Sequence, residues 1–349
     1  MSQRLPPLFV LAGATATGKT GLSIRLAEAL IADGVPVESV SADSRQVYRG
    51  LDIGTAKVSL EARAGIPHHG LDVVHPDEAF SVADFAAHAR DALAEIADRG
   101  ALAILVGGTG LYLRAVARGL DTEALPADPA RRAEIEAEIL AGGVAAAADR
   151  LQSIAPRLSQ RIDRHNPRRV ARALEIATLR GDAPLPLARG YPAPVAWIGL
   201  AVEPDLHRVW IAARAREQFD AGLVEEARGL RERYDPALPA FSAIGYREAW
   251  ALIDGTLTRE EAIEEDLRRN VAFARRQRTW FRAEPEVRWL DANGAALGPA
   301  IEAARGLLDR RPSRRVRGNR PQGANRSTRR HGSPPRSGPA GHRTSAPAG

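Results

Sequence analysis

The chain has 349 residues, 44% of them hydrophobic, and no cysteine; it is long enough for about two domains with a sizeable core, and it excludes disulfides, thiolate zinc sites and cysteine nucleophiles. It carries neither an apolar run of about 18 residues nor a charged-then-apolar leader, so a soluble, cytoplasmic protein with no membrane partner is expected. The net charge of +6 is confined to one end: residues 310–349 hold eleven arginines and no acid, leaving 38 basic against 43 acidic residues elsewhere, which excludes a global polyanion-attracting field and requires any such site to be a local patch.

Residues 8–12 form an unbroken apolar run that predicts a buried strand. Gly13-Ala14-Thr15-Ala16-Thr17-Gly18-Lys19-Thr20 follows and satisfies G-x-x-x-x-G-K-[ST]. In that loop, backbone N–H groups wrap phosphate oxygens, the lysine meets terminal phosphate charge and the hydroxyl of Thr20 ligates Mg²⁺. Leu22, Leu26, Ala29 and Leu30 then repeat at helical spacing, so the loop opens a helix N-terminus. Strand, loop and helix together predict an α/β fold, a P-loop NTPase-like parallel sheet flanked by helices. The loop holds diphosphate geometry, for which ATP is only the commonest bearer. Of 49 basic residues only Lys19 and Lys57 are lysine, and both fall in motif-like stretches where a compact ammonium suits better than a planar guanidinium.

Residues 35–41 predict a second strand, running into Ser41-Ala42-Asp43-Ser44-Arg45-Gln46-Val47-Tyr48. Loops beyond strand C-termini form the ligand crevice of α/β sheets, so Asp43 is expected to face the P-loop, where it could orient Mg²⁺, act as a base, or cap a short helix. Pro67-His68-His69-Gly70 predicts a polar loop; adjacent histidines diverge and no third ligand has suitable spacing, so no metal is expected there. Residues 81–99 predict an amphipathic helix opening at a serine cap. Residues 101–106 predict a third buried strand ending in Gly107-Gly108-Thr109-Gly110, where an ordinary ATPase would carry a metal-binding aspartate.

From residue 121 the composition shifts to alanine, arginine and glutamate, predicting an all-helical insertion over 121–189 between two parts of a catalytic core, 1–120 and 190–310. Within it Arg161, Arg164, Arg168, Arg169 and Arg172 recur at three- and four-residue steps with only Asp163 among them, the pattern of a polyanion-facing surface. Residues 195–202 predict a returning strand, 206–233 one long helix carrying Arg214, and 266–282 a helix with an arginine stripe beside Trp280 and Phe281. Residues 287–290 suggest a last short strand. The Arg, Gly, Pro and Ser mixture of 311–349 predicts a disordered basic tail.

The ordered set of Gly13–Thr20, Ser41–Tyr48, Asp52-Ile53-Gly54-Thr55-Ala56-Lys57, Pro67-His68-His69, Leu105-Val106-Gly107-Gly108-Thr109, Arg172-Ala173-Leu174-Glu175, Ala243-Ile244-Gly245-Tyr246-Arg247 and Arg276-Gln277-Arg278-Thr279-Trp280-Phe281-Arg282 resembles the bacterial tRNA dimethylallyltransferase family over roughly residues 6–290. The resemblance implies transfer of a dimethylallyl group from dimethylallyl diphosphate to the exocyclic amine of the adenine 3′ of the anticodon. Gly13–Thr20 would bind the diphosphate or a nucleotide, with Lys19, Thr20, Arg214 and Mg²⁺ neutralising it. Asp43 would serve as base, with Thr109 positioning it or the amine. Asp43, Ser44, Arg45, Gln46 and Thr109 would meet the adenine and its neighbours. Arg132, Arg168, Arg169, Val170, Ala171 and Arg172, with Ala243, Ile244, Gly245, Tyr246 and Arg247, would contact the anticodon stem-loop. A monomer is expected. Asn166, Ser242 and Trp210 depart from the family's usual aspartate, glutamine and arginine. Two rivals remain at this point: a small-molecule kinase using ATP with Asp43 as base, and a non-catalytic RNA-binding module, which leaves the intact P-loop without a purpose.

Overall fold

The computed structural model describes residues 5–309. The first apolar run is β1 (Leu8–Gly13), buried at every residue because its two faces serve two cores: Leu8, Val10 and Ala12 point into one, Phe9 and Leu11 into the other. The glycine-rich loop leads into α1 (Lys19–Ala32) through Gly18, whose φ of 77° suits glycine. β2 (Val37–Ser41) and a two-residue β3 (His68–His69) follow. α2 (Val82–Asp98) begins at a reciprocal capping box of Ser81 and Asp84. Then come β4 (Leu102–Gly107) and α3 (Gly110–Ala117). Between them and β5 (Val195–Ala201) stand α4 (Pro129–Gly142), α5 (Val144–Ile154), α6 (Pro156–Ser159) and α7 (Pro167–Arg180). The chain continues through α8 (Pro204–Asp220), α9 (Leu223–Arg231), α10 (Tyr246–Ile253), α11 (Arg259–Arg282), β6 (Arg288–Asp291) and α12 (Leu297–Asp309).

All strands are parallel, in the order β3-β2-β4-β1-β5-β6, with Leu11 of β1 level with Val106 of β4 and Ile198 of β5. The C-terminal ends of β1, β2 and β4 therefore open on one edge, the position at which such sheets bind ligands. One face of the sheet packs on Phe85, Tyr112, Phe241, Tyr246 and Trp250, the other on Leu22, Leu26, Leu30, Ala300 and Leu307. The helices α4 to α7 bury a core of their own around Ile135, Ile139, Leu151, Val170 and Leu174.

Three expectations change. The helix expected over 206–233 is two helices, α8 and α9, because Gly222 adopts a φ of 100° and breaks the run. His68 and His69 are not loop residues but pair with Ser39 and Val40 as an edge strand. α12, whose Ala300, Ala304 and Leu307 repeat at helical spacing, adds a helix beyond the last expected strand. The tail expected over 311–349 lies outside the described residues. Among those described, no helix is long and apolar enough to cross a membrane.

Candidate active site

A recess at the strand ends is lined by Lys19, Thr20, Asp43, Gly108, Arg214 and Gln277. It adjoins a larger chamber of about 540 Å³ whose wall includes Ser44, Arg45, Thr109, Ala243, Arg168 and Arg276; Thr15, Asp43 and Arg214 face both. The P-loop is built as its sequence requires. Gly13 takes a φ of 156°, and an added Cβ would stand 3.0 Å from the carbonyl oxygen of Leu200. Thr17 Oγ1 and Lys19 Nζ both donate to the carbonyl of Ala14, at 2.9 and 2.5 Å.

Arg214 reaches across from α8 and donates to Thr15 Oγ1 at 3.1 Å. Two cations thus share a recess whose nearby acid is Asp43. Burial, reinforced by the charge of Arg214 and opposed by Asp43, lowers the pKa of Lys19 to about 7. Burial likewise pulls Arg214 below its ordinary value, against Asp43, Asp266 and Glu217. The recess is electrostatically short of an anion.

Asp43 Oδ1 accepts the N–H groups of Arg45 at 2.8 Å and Gln46 at 3.4 Å. The segment to Tyr48 is therefore a turn and not the capped short helix that was one reading. Thr109 Oγ1 accepts the N–H of Ser44 at 3.0 Å, fixing the main chain beside Asp43 from the end of β4. Gln46 is held by Ser41 Oγ and donates to the carbonyl of Thr55, while Arg45 donates to the carbonyl of Pro239. Lys57 serves the scaffold: its side chain, 4% exposed, bridges Asp52, Asp72 and the carbonyl of Tyr48. A guanidinium would overfill that cage of oxygens. His69 pairs with Glu38 and His68 with the carbonyl of Ile66, and among the described residues no three potential ligands converge on a metal position.

The residues assigned to tRNA divide. Arg168 and Arg169 are exposed at the start of α7, where Asn166 caps the helix, and Arg168 lines the chamber. Val170 and Ala171 are fully buried in the helical core, so an RNA contact through their side chains is excluded; they pack. Arg132 and Arg172 both grip the buried Glu175, at 2.7 Å each. Ala243 and Ile244 line the chamber and Arg247 is exposed, whereas Tyr246 is buried and donates its hydroxyl to Glu226. Gly245, at φ 107°, turns the chain into α10. Tyr246 and Gly54 fit each other: a Cβ on residue 54 would lie 2.6 Å from the tyrosine ring.

Sequence reasoning missed His207 and gave no role to Gln277, which it met only as part of the Arg276–Arg282 stretch. Both hydrogen bond to Thr15, 192 and 262 residues away in the chain, and no local spacing marks them.

The family model described as IPP transferase matches residues 46–284. A tRNA dimethylallyltransferase of Thermus thermophilus is 45% identical over 290 residues, spanning 82% of this chain and 93% of the relative. One of Halalkalibacterium halodurans is 42% identical, spanning 81% and 90%. Among solved structures, the tRNA isopentenylpyrophosphate transferase of Bacillus halodurans matches with a TM-score of 0.63 at 39% identity, covering 86% of this chain and 96% of that one. A eukaryotic dimethylallyltransferase acting on tRNA matches with a TM-score of 0.70 at 25% identity, covering 89% and 82%.

Proposed function

The chain belongs to the IPP transferase family, and on that premise we propose that it transfers the dimethylallyl group of dimethylallyl diphosphate to the exocyclic amine of the adenine 3′ of the anticodon in tRNA, releasing diphosphate. The observation that carries this reading is the pair of recessed cations, Lys19 and Arg214, set against the P-loop with Asp43 across the recess. Bound diphosphate would restore the charge on Lys19 and be neutralised as it departs.

An aromatic amine is a weak nucleophile, so the reaction needs close approach, a good leaving group and removal of a proton. Asp43 is the base: its Oδ1 is held by two backbone N–H groups, and the residue lines both the recess and the chamber. Thr109 positions the adjoining backbone. The larger chamber takes the adenine, which must leave its stack at a cost of a few kcal/mol, least in a single-stranded loop. Gln46, already committed to the chain around it, lines the smaller recess beside Asp43 through its fixed amide.

The donor set fits a magnesium ion that arrives with its ligand. Thr20 offers a hydroxyl, and since no cluster of three potential ligands stands among the described residues, the phosphates and water would complete the shell. When bound, the ion supplies positive charge to the leaving diphosphate.

The helical segment 121–189 is the tRNA-binding insertion in this reading. Arg168 and Arg169 of α7, with Arg268 and Arg276 of α11, meet the phosphates of the anticodon stem-loop. The setting is the cytoplasm, where unmodified tRNA is found. The kinase reading gives way to the family assignment. A titration in the presence of Mg²⁺ tests the donor: dimethylallyl diphosphate should bind more tightly than ATP, and the reverse order would contradict the proposal.

A further inference from the structure

Thr15 stands at the crest of the P-loop, and each of its three polar groups is taken by a side chain from a distant helix. Its N–H donates to Gln277 Oε1 at 2.8 Å, its carbonyl accepts from His207 Nε2 at 2.8 Å, and its hydroxyl accepts from Arg214 at 3.1 Å. Gln277 is 7% exposed, and its Nε2 donates to the carbonyl of Gly108 at 3.0 Å. One amide therefore clamps the loop after β1 to the loop after β4. Residue 108 must be glycine for this, since a Cβ there would stand 2.5 Å from Gln277 Nε2.

His207 backs the clamp. A carbonyl only accepts, so Nε2 carries the ring proton and Nδ1 is the acceptor for Arg278, 3.0 Å away. The arginine thus selects the tautomer that holds Thr15; burial, with the charge of Arg278, lowers the pKa of the ring against the hydrogen bond to the Thr15 carbonyl.

A P-loop binds phosphate by aiming its backbone N–H groups at oxygens. With the Thr15 N–H spent on an amide oxygen, one donor is withdrawn at the crest. An additional phosphate there would meet the acceptor Oε1 of Gln277 instead of a donor.

We propose that Gln277, supported by His207, is a positioning residue that shapes the P-loop for a diphosphate and against a triphosphate. The inference rests on the loop being the prenyl diphosphate site. Its test compares dimethylallyl diphosphate with ATP, both with Mg²⁺, on the full-length protein and its variants by equilibrium binding. Steady-state assays with tRNA and thermal melting accompany the titrations.

In the wild-type protein the diphosphate should be preferred; absence of that preference would refute the site reading itself, and the inference with it. Gln277→Leu removes both hydrogen bonds at similar volume. It should shift the affinity ratio about tenfold toward ATP, the scale of a lost buried hydrogen bond, while the KM for tRNA stays within about twofold. His207→Ala should shift the ratio in the same direction, and His207→Gln, which keeps a donor for the Thr15 carbonyl, should restore it; this pair decides the matter if Gln277→Leu does not fold. Equal weakening of both ligands, or an unchanged ratio in folded variants, would overturn the proposal.

Discussion

Asp43 shows how a single side chain acquires a role from its surroundings. Its carboxylate is pinned through one oxygen to the turn that follows β2, and it faces Lys19 and Thr20 across the recess. Replacing it with alanine removes the base while leaving the exposed Arg168 and Arg169 at the start of α7 unaltered. Asp43→Ala should therefore bind tRNA within about twofold of wild type, while prenyl transfer falls by about two to four orders of magnitude. Filter binding and single-turnover transfer measure the two, and near-normal turnover would refute the role. At this scale the sequence was most legible where the chemistry is contiguous. Gly13 to Thr20 and Asp43 could be read because the loop and the strand end carry their own geometry. Motif letters alone misled at Val170, Ala171 and Tyr246, whose burial gives them packing roles. The roles of His207 and Gln277 escaped because only the folded chain brings α8 and α11 against the P-loop.

Among the elements, α4 and α7 are joined through Glu175. This residue is fully buried and accepts from Arg132, Arg172 and the N–H of Asp128. Burial alone would raise its pKa, but the hydrogen bonds from Arg132 and Arg172 and from the backbone outweigh it and lower the pKa. A carboxylate whose native pKa is depressed contributes stability that is present above its ordinary value of 4.5 and is lost as pH falls through the lower native value. Glu175→Ala leaves two arginines and a backbone donor without their acceptor, and should cost about 2–4 kcal/mol. Hydrogen exchange of α4 and α7 amides at neutral pH should speed up accordingly, more than in β1. An unchanged exchange pattern would show that the helical core alone holds these elements together. Apolar spacing and caps made most elements readable from sequence, α2 with its Ser81 box above all. The break between α8 and α9 was hidden because helical periodicity runs on through Gly222, and only its positive φ ends the helix.

For the molecule as a whole, the parallel sheet could be anticipated from three apolar strand patterns, each ending in glycine or small polar residues. The strand order and the seating of α11 against the P-loop could not, since both depend on contacts between segments far apart in the chain. α11 also buries Asp266, 1% exposed, whose Oδ1 accepts from Asn270. Burial raises its pKa from 3.8 to about 6, against the hydrogen bond from Asn270. The native state thus holds this proton more tightly than the unfolded chain, so stability from this group is greatest below about pH 4 and is lost as pH rises to about 6. Asp266→Asn removes that dependence. Its melting temperature relative to wild type should climb between pH 4.5 and 7.5, and parallel profiles would contradict the assignment.

The central claim is that a P-loop anchors a prenyl diphosphate so that its carbon meets a tRNA base. Incubation with labelled dimethylallyl diphosphate and unmodified tRNA, followed by nucleoside analysis and mapping of the modified position, tests it most directly. The account predicts label on the exocyclic amine of the adenine immediately 3′ of the anticodon; tRNA without label, or label confined to another nucleotide, would contradict it.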